Sequence, residues 1–236
     1  KPAVIVNTAA ITDVDGCENQ YDEAYRVNAL GALSVAKAAQ STGAFLVHLS
    51  TDYVFDGEKT TPYQEDEPLS PLGVYGRTKA EGERLIMEQA PNSSLIVRTQ
   101  WLYGLRGKNF VESILKACRE RDVLKVVSDQ HGRPTFTEDL AEALIKLMDL
   151  RPAGICHVAN SGQTTWHGFA SAIVELEGLK GIRVEELTTA ELNRPAPRPL
   201  YSILDLSKFQ SLTNSGLRDW KQALKAYLEE RKRLKG

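Results

Sequence analysis

The sequence predicts an α/β protein: a doubly wound parallel sheet with a smaller C-terminal lobe. Three observations predict it. The runs "PAVIVNTAA" (2–10), "AFLVHLST" (44–51) and "SSLIVRTQW" (93–101) are mainly apolar and close on polar residues, as parallel strands buried on both faces do. Segments with apolar residues at three- to four-residue spacing separate these runs, so strand and helix alternate. The length of 236 residues is enough for one large domain or two modest ones with real cores.

The elements follow in order. Residues 18–43 read as the first helix, with Gly43 placed to close it as a C-cap. After the second strand, a polar loop (52–73) leads into a helix at 74–90 that Pro91 ends. Beyond 101 the pattern is mixed. Helices are expected at 108–122, 137–150, 164–178 and 219–236, and strands at 124–129 and 154–160. Thr137 stands where a capping box would begin, although the residue three on is Leu140; Glu138 and Asp139 suit the positive start of that helix. The three prolines of "NRPAPRPLYS" (193–202) exclude regular helix.

The totals exclude several classes of function. Acidic and basic residues nearly balance, for a net charge of −2, so no nucleic-acid partner is indicated. No apolar run approaches the ~18 residues of a membrane span, and no signal peptide opens the sequence, so no membrane association is expected. Cys17, Cys118 and Cys156 are few and widely spaced, which fits reduced thiols and a cytoplasmic location. His48, His131, His157 and His167 are scattered without ligand spacing, so no metal site is expected.

The chemistry concentrates in residues 49–83. In a parallel α/β sheet, ligands bind beyond the carboxyl ends of the strands. Ser50, Thr51 and Asp52 lie at one such end, and Asn7, Thr8 and Ala9 at the neighbouring one. Tyr75 and Lys79 are one helical turn apart and share a face. An ammonium beside a phenol stabilises the phenolate and lowers its pKa, and a tuned phenol exchanges protons near neutral pH. With the Thr51 hydroxyl, the pair forms an acid–base site for interconverting a carbonyl and an alcohol. Tyr-x-x-x-Lys alone is a weak signal; its position on a helix after a strand-end Ser-Thr strengthens it. Asp52 reads first as a capping or structural hydrogen-bonding residue.

Beyond these local readings, the stretches "VNTAAITDVDGCE", "YRVNALGALSVAKAA", "LSTDYVFDG", "PLGVYGRTKAEGE", "VRTQWLYG", "DQHGRPTFTEDLA" and "HVANSGQTTWHGFA" follow in this order over residues 4–170, and "LYSILDLSKF" continues them to about 209. In this the chain resembles the extended short-chain dehydrogenase/reductases, and most closely their dTDP-4-dehydrorhamnose reductase branch. The resemblance implies a Rossmann-type sheet and reduction of the C4 ketone of a dTDP-4-keto-6-deoxyhexose by NADPH, or NADH. It implies catalytic roles for three residues: Tyr75 as proton donor, Lys79 lowering the Tyr75 pKa and holding the nicotinamide ribose, and Thr51 hydrogen-bonded to the C4 oxygen. Asn7, Ala9 and Ala10 would lie along the cofactor with Tyr75 and Lys79, and Asn28 would support the site from its helix. Thr12, Val14, Tyr53 and Trp101 would line the sugar pocket. The partner is a small nucleotide-sugar substrate, with a homodimer as the candidate assembly. A second reading is non-catalytic, because a closely similar fold serves as a regulatory subunit that binds methionine adenosyltransferase. A third, an epimerase or dehydratase, shares the Tyr and Lys, but dehydratases carry an acidic pair after the strand-end Thr, whereas Asp52 here is followed by Tyr53.

The family's G-x-x-G-x-x-G turn does not occur in this sequence. The resemblance aligns the first run with a fourth strand, leaving roughly 50–60 residues of the family pattern, with its N-terminal strands, unrepresented. The stretch as given is therefore expected to bind NADPH poorly and to leave strand 3–8 as an open edge. On this reading residues 1–105 are the remainder of a dinucleotide-binding domain that carries the catalytic residues. Residues 106–236 are mostly a substrate-binding lobe, with segments within about 124–160 returning to the sheet. Arg133, Arg194 and Arg198 are candidates for a nucleotide phosphate, with an inter-domain ion pair or a surface loop as the alternatives. Cys17 has no activating neighbour in sequence and is expected to be inert.

Overall fold

The computed structural model describes residues 1–235. Strand β1 (Val4–Asn7) is followed by a continuous helical segment of three parts: α-helical Tyr21–Tyr25, π-helical Arg26–Gly31 and helix α1 (Ala32–Thr42). Gly43 closes it in the left-handed conformation, at φ 71°. Then come β2 (Phe45–Thr51), α2 (Val74–Gln89), β3 (Ser94–Thr99), α3 (Phe110–Ala117), β4 (Val123–Val127) and α4 (Thr137–Leu150). The chain ends with β5 (Gly154–His157), α5 (Trp166–Leu176), β6 (Arg183–Leu187), α6 (Ser207–Thr213) and α7 (Trp220–Lys235).

The large sheet has the order β1-β2-β3-β5, all parallel, with Val47 level with Val6 and with Leu95. Side chains alternate across it, as the two-residue period requires. Leu46 and Ile96 pack with Ala32, Ala36, Ala39 and Ile86 of α1 and α2. Phe45, Val47, Leu95 and Val97 pack on the other face with Leu140, Ala143, Leu144 and Leu147 of α4. Burial on both faces is why these strands read as unbroken apolar runs.

A second core is built from Tyr103, Phe136, Phe169, Trp220 and Tyr227 with aliphatic residues of α3, β4, α5 and α7. Helix α4 packs on the large sheet and β5 pairs with β3 in it, whereas β4 pairs with β6 in a separate two-stranded sheet. Thr137 does not cap its helix. Phe136 occupies that position, and no side-chain cap forms because its ring has no hydrogen-bond acceptor.

One close approach fixes the site. A Cβ on Gly76 would lie 2.2 Å from the Tyr53 carbonyl oxygen, so only glycine lets α2 pack directly on the turn that follows β2. That contact brings the first turns of α2 against the carboxyl end of the sheet.

Candidate active site

Thr51, the last residue of β2, is buried, and its hydroxyl donates to Asp52 Oδ1 at 3.0 Å and accepts from the Tyr53 amide at 3.2 Å. Tyr75, in the first turn of α2, is half-buried, and its ring meets Tyr53 edge-on at 5.6 Å between centroids. Burial pushes the Tyr75 phenol above its ordinary pKa, and the neighbouring Thr51 hydroxyl opposes the shift in part. Lys79, one turn on, is buried, and its Nζ donates to the Leu49 carbonyl at 2.7 Å and lies 3.2 Å from His48 Nε2. Burial lowers Lys79 to about 8, opposed by the Glu83 carboxylate. The lowering of Tyr75 by Lys79 expected from their spacing is not the effect of this geometry: desolvation raises the phenol, and the Lys79 amino group is turned toward β2.

The sugar-pocket residues inferred from the resemblance come together. Thr12, Val14, Tyr53 and Trp101 line one cavity of about 420 Å³ with Thr51, Tyr75, Thr99 and Gln100. Trp101 has φ 49°, which a bulky residue rarely adopts, and its ring stacks on Trp166 of the lobe with centroids 3.7 Å apart. The buried Thr99 hydroxyl has no partner among the described residues, which leaves a polar group in the wall of the cavity. A second cavity of about 420 Å³ shares Tyr53 and Trp166 and carries Lys125, Arg194 and Arg198. Asp15 holds Arg198 at 3.0 Å and Arg194 at 3.5 Å, and the Arg198 guanidinium keeps the Asp15 carboxyl below its usual range. Arg133 instead donates to the Gly162 carbonyl.

The residues expected along a cofactor lie at the end of β1. Asn7 accepts from the Ala9 amide at 3.2 Å and donates to His48 Nδ1 at 2.9 Å. Ala9 is exposed and Ala10 partly so, and neither carries more than a methyl group that would obstruct a ligand. Asn28, within the π-helical segment, holds both the amide and the carbonyl of Ile11, at 2.9 and 3.1 Å, and also reaches Thr78 at 3.1 Å. It thus fixes the loop between β1 and the pocket.

The chain belongs to the RmlD substrate-binding domain family. The family model matches residues 1–233. A relative described as spore coat polysaccharide biosynthesis protein SpsK, from Bacillus subtilis, is 47% identical over 98% of this chain and 80% of its own length. A dTDP-4-dehydrorhamnose reductase of Streptomyces griseus is 45% identical over 95% of this chain and 75% of its own. The crystal structure of dTDP-4-dehydrorhamnose reductase from Bacillus anthracis in complex with NADP superposes with a TM-score of 0.94 at 38% identity, covering 97% of this chain and 81% of that one. Against this RmlD-family background, several site residues were not singled out from the sequence: His48, Glu83, Gln100, Trp166 and Ser202. His48 had a signal. A polar ring within a strand buried on both faces must find a hydrogen-bond partner.

Two buried histidines make the folded state sensitive to acid. Burial holds His48 and His157 at about 3, with Lys79 and Arg98 adding to the effect on each. Both values lie below the ordinary 6.5, so between pH 6.5 and 3 the unfolded chain binds more protons than the native one. Stability is therefore full above about pH 6.5 and is lost as pH falls toward 3, by on the order of 4 kcal/mol per histidine. Asp52, raised by burial to about 6, acts oppositely between pH 6 and 3.8 and offsets about 3 kcal/mol. Denaturant titrations should show the unfolding midpoint falling steeply below pH 6; a midpoint level from pH 7 to 4 would contradict this.

Proposed function

We propose that this chain carries the catalytic and sugar-binding residues of an NADPH-dependent reductase acting on the C4 ketone of a dTDP-4-keto-6-deoxyhexose, the reduction that completes dTDP-L-rhamnose. The observation that carries the reading is the meeting of Thr51 and Tyr75 in one cavity that adjoins another lined by Lys125, Arg194 and Arg198. A sugar fits the first and an anionic diphosphate the second. The reductases described above support the same reading, and nothing in them supports a regulatory subunit.

NADPH supplies the hydride when bound, and the methyl-lined end of β1 with Lys79 and Tyr75 fits its nicotinamide half. Tyr75 holds the proton for the ketone oxygen, because burial keeps the phenol protonated at neutral pH. Thr51 lines the cavity beside Tyr75, with its own hydrogen directed to Asp52. Lys79, one turn on from Tyr75, is anchored to the Leu49 carbonyl near the end of β2. Residues 1–105 form the cofactor-facing part, and most of 106–236 the substrate lobe.

The test is NADPH oxidation by the purified protein with a dTDP-4-keto-6-deoxysugar, at saturating cofactor so that weak retention does not mask turnover. Formation of the 4-hydroxy product in step with NADPH loss is the expected result. No turnover despite substrate binding would overturn the assignment.

A further inference from the structure

The hydrogen bonds of the buried polar chain behind Lys79 constrain where its protons sit. Ala9 N–H donates to Asn7 Oδ1, which fixes that amide and leaves its Nδ2 to donate to His48 Nδ1. His48 is buried and neutral, so one ring nitrogen carries its single proton. With Nδ1 accepting, that proton is on Nε2 and faces Lys79 Nζ at 3.2 Å. An ammonium has no acceptor site, so this arrangement is satisfied only when Lys79 is the neutral amine. Charging Lys79 forces the other tautomer: Nε2 then accepts from the ammonium, Nδ1–H requires the Asn7 oxygen, and the turned amide no longer accepts from Ala9.

We propose that His48 is a positioning residue which, through Asn7, ties the charge of Lys79 to the backbone of the Ala9 turn. The importance of that tie for turnover rests on the reading of Lys79 and Ala9 given above; the tie itself rests on the hydrogen bonds. The ionisable groups bearing on the chain are few. Glu83, on the same helix as Lys79, favours the ammonium and is itself held by Arg98 and Ser50. On His48 the acting charge is Lys79, from the neighbouring helix. A ligand that orders the Ala9 turn with its amide bonded to Asn7 thus favours the neutral lysine, and one that draws off that amide favours the ammonium.

The test uses the chain labelled with ¹⁵N at histidine and alanine, followed by NMR from pH 6 to 10. The His48 ring nitrogens are expected to exchange the shifts of protonated and bare imidazole nitrogen near pH 8, without passing through imidazolium. The Ala9 amide should move with the same midpoint. His48→Phe should abolish the Ala9 response. Asn7→Ala, which spares the ring, should uncouple Ala9 while His48 still switches tautomer. A His48 ring or Ala9 amide that stays constant while Lys79 titrates would overturn the proposal. Loss of turnover with this coupling intact would count against the reductase reading instead.

Discussion

Tyr75→Phe is expected to lower kcat by about 10²–10⁴-fold, the range for removing a general acid, or roughly 3–5 kcal/mol of barrier. The variant removes one oxygen and little else. The ring keeps its edge contact with Tyr53, and Thr51 keeps its bonds to Asp52 and to the Tyr53 amide. Unfolding free energy should therefore change by less than about 1 kcal/mol. KM for the sugar should stay within a few-fold, because the phenol acts where charge develops on the ketone oxygen rather than on the bound ground state. Burial holds the phenol well above its ordinary pKa, so the defect should be equally deep across neutral pH. Steady-state kinetics on both proteins, with denaturant unfolding as the control, measures all of these quantities. A variant that retains more than a tenth of the wild-type kcat would remove Tyr75 from the proton step.

The arrangement of the large sheet was legible because its central strands β2 and β3 are buried on both faces and its helices have regular periodicity; the first run, read the same way, is instead the edge strand β1, with Val6 exposed. Phe45 to Leu49 and Leu95 to Val97 cannot be placed elsewhere without exposing them. The pair Tyr75 and Lys79 was legible from spacing alone, since a helix puts residues four apart on one face. What the two do to each other was not. Spacing gives proximity along the helix but not desolvation, and the Lys79 stem carries its ammonium to the Leu49 carbonyl on β2. The π-helical turn around Asn28 has no marker in local propensity; the carbonyl of Asn28 meets α2 at Gly82, a contact 54 residues away. Ser202 was hidden for a similar reason. It donates to Asp52 at 2.5 Å from the proline-rich segment, 150 residues along the chain. The pairing of β4 with β6 is likewise a choice between two sheets that a short apolar run does not specify.

Arg98→Met is expected to destabilise the protein by about 3–5 kcal/mol, the cost of leaving Glu83 charged and buried with only the Ser50 hydroxyl beside it. Arg98 and Glu83 are almost fully buried, with a 2.7 Å contact from the Arg98 guanidinium to Glu83 Oε2. Arg98 also donates to the Glu65 carbonyl at 3.2 Å, lies over the Phe55 ring at 5.1 Å and reaches His157 at 3.3 Å. Met fills much of the same volume, so the loss should report charge more than packing. Replacing both partners, as Arg98→Met with Glu83→Leu, should recover most of the stability, because no uncompensated charge then stays in the core. Recovered stability should not bring recovered function. Glu83 is the carboxylate that favours the charged form of Lys79, one turn away on α2. Without it, Lys79 should lose its proton at lower pH, and turnover at neutral pH should fall even though the double variant is well folded. Denaturant unfolding of the single and double variants, set beside their pH–rate profiles, separates the two effects. An Arg98→Met cost under about 1 kcal/mol would show that this ion pair does not hold the sheet to α2, and a double variant with unaltered pH dependence would show that Glu83 does not set the charge of Lys79.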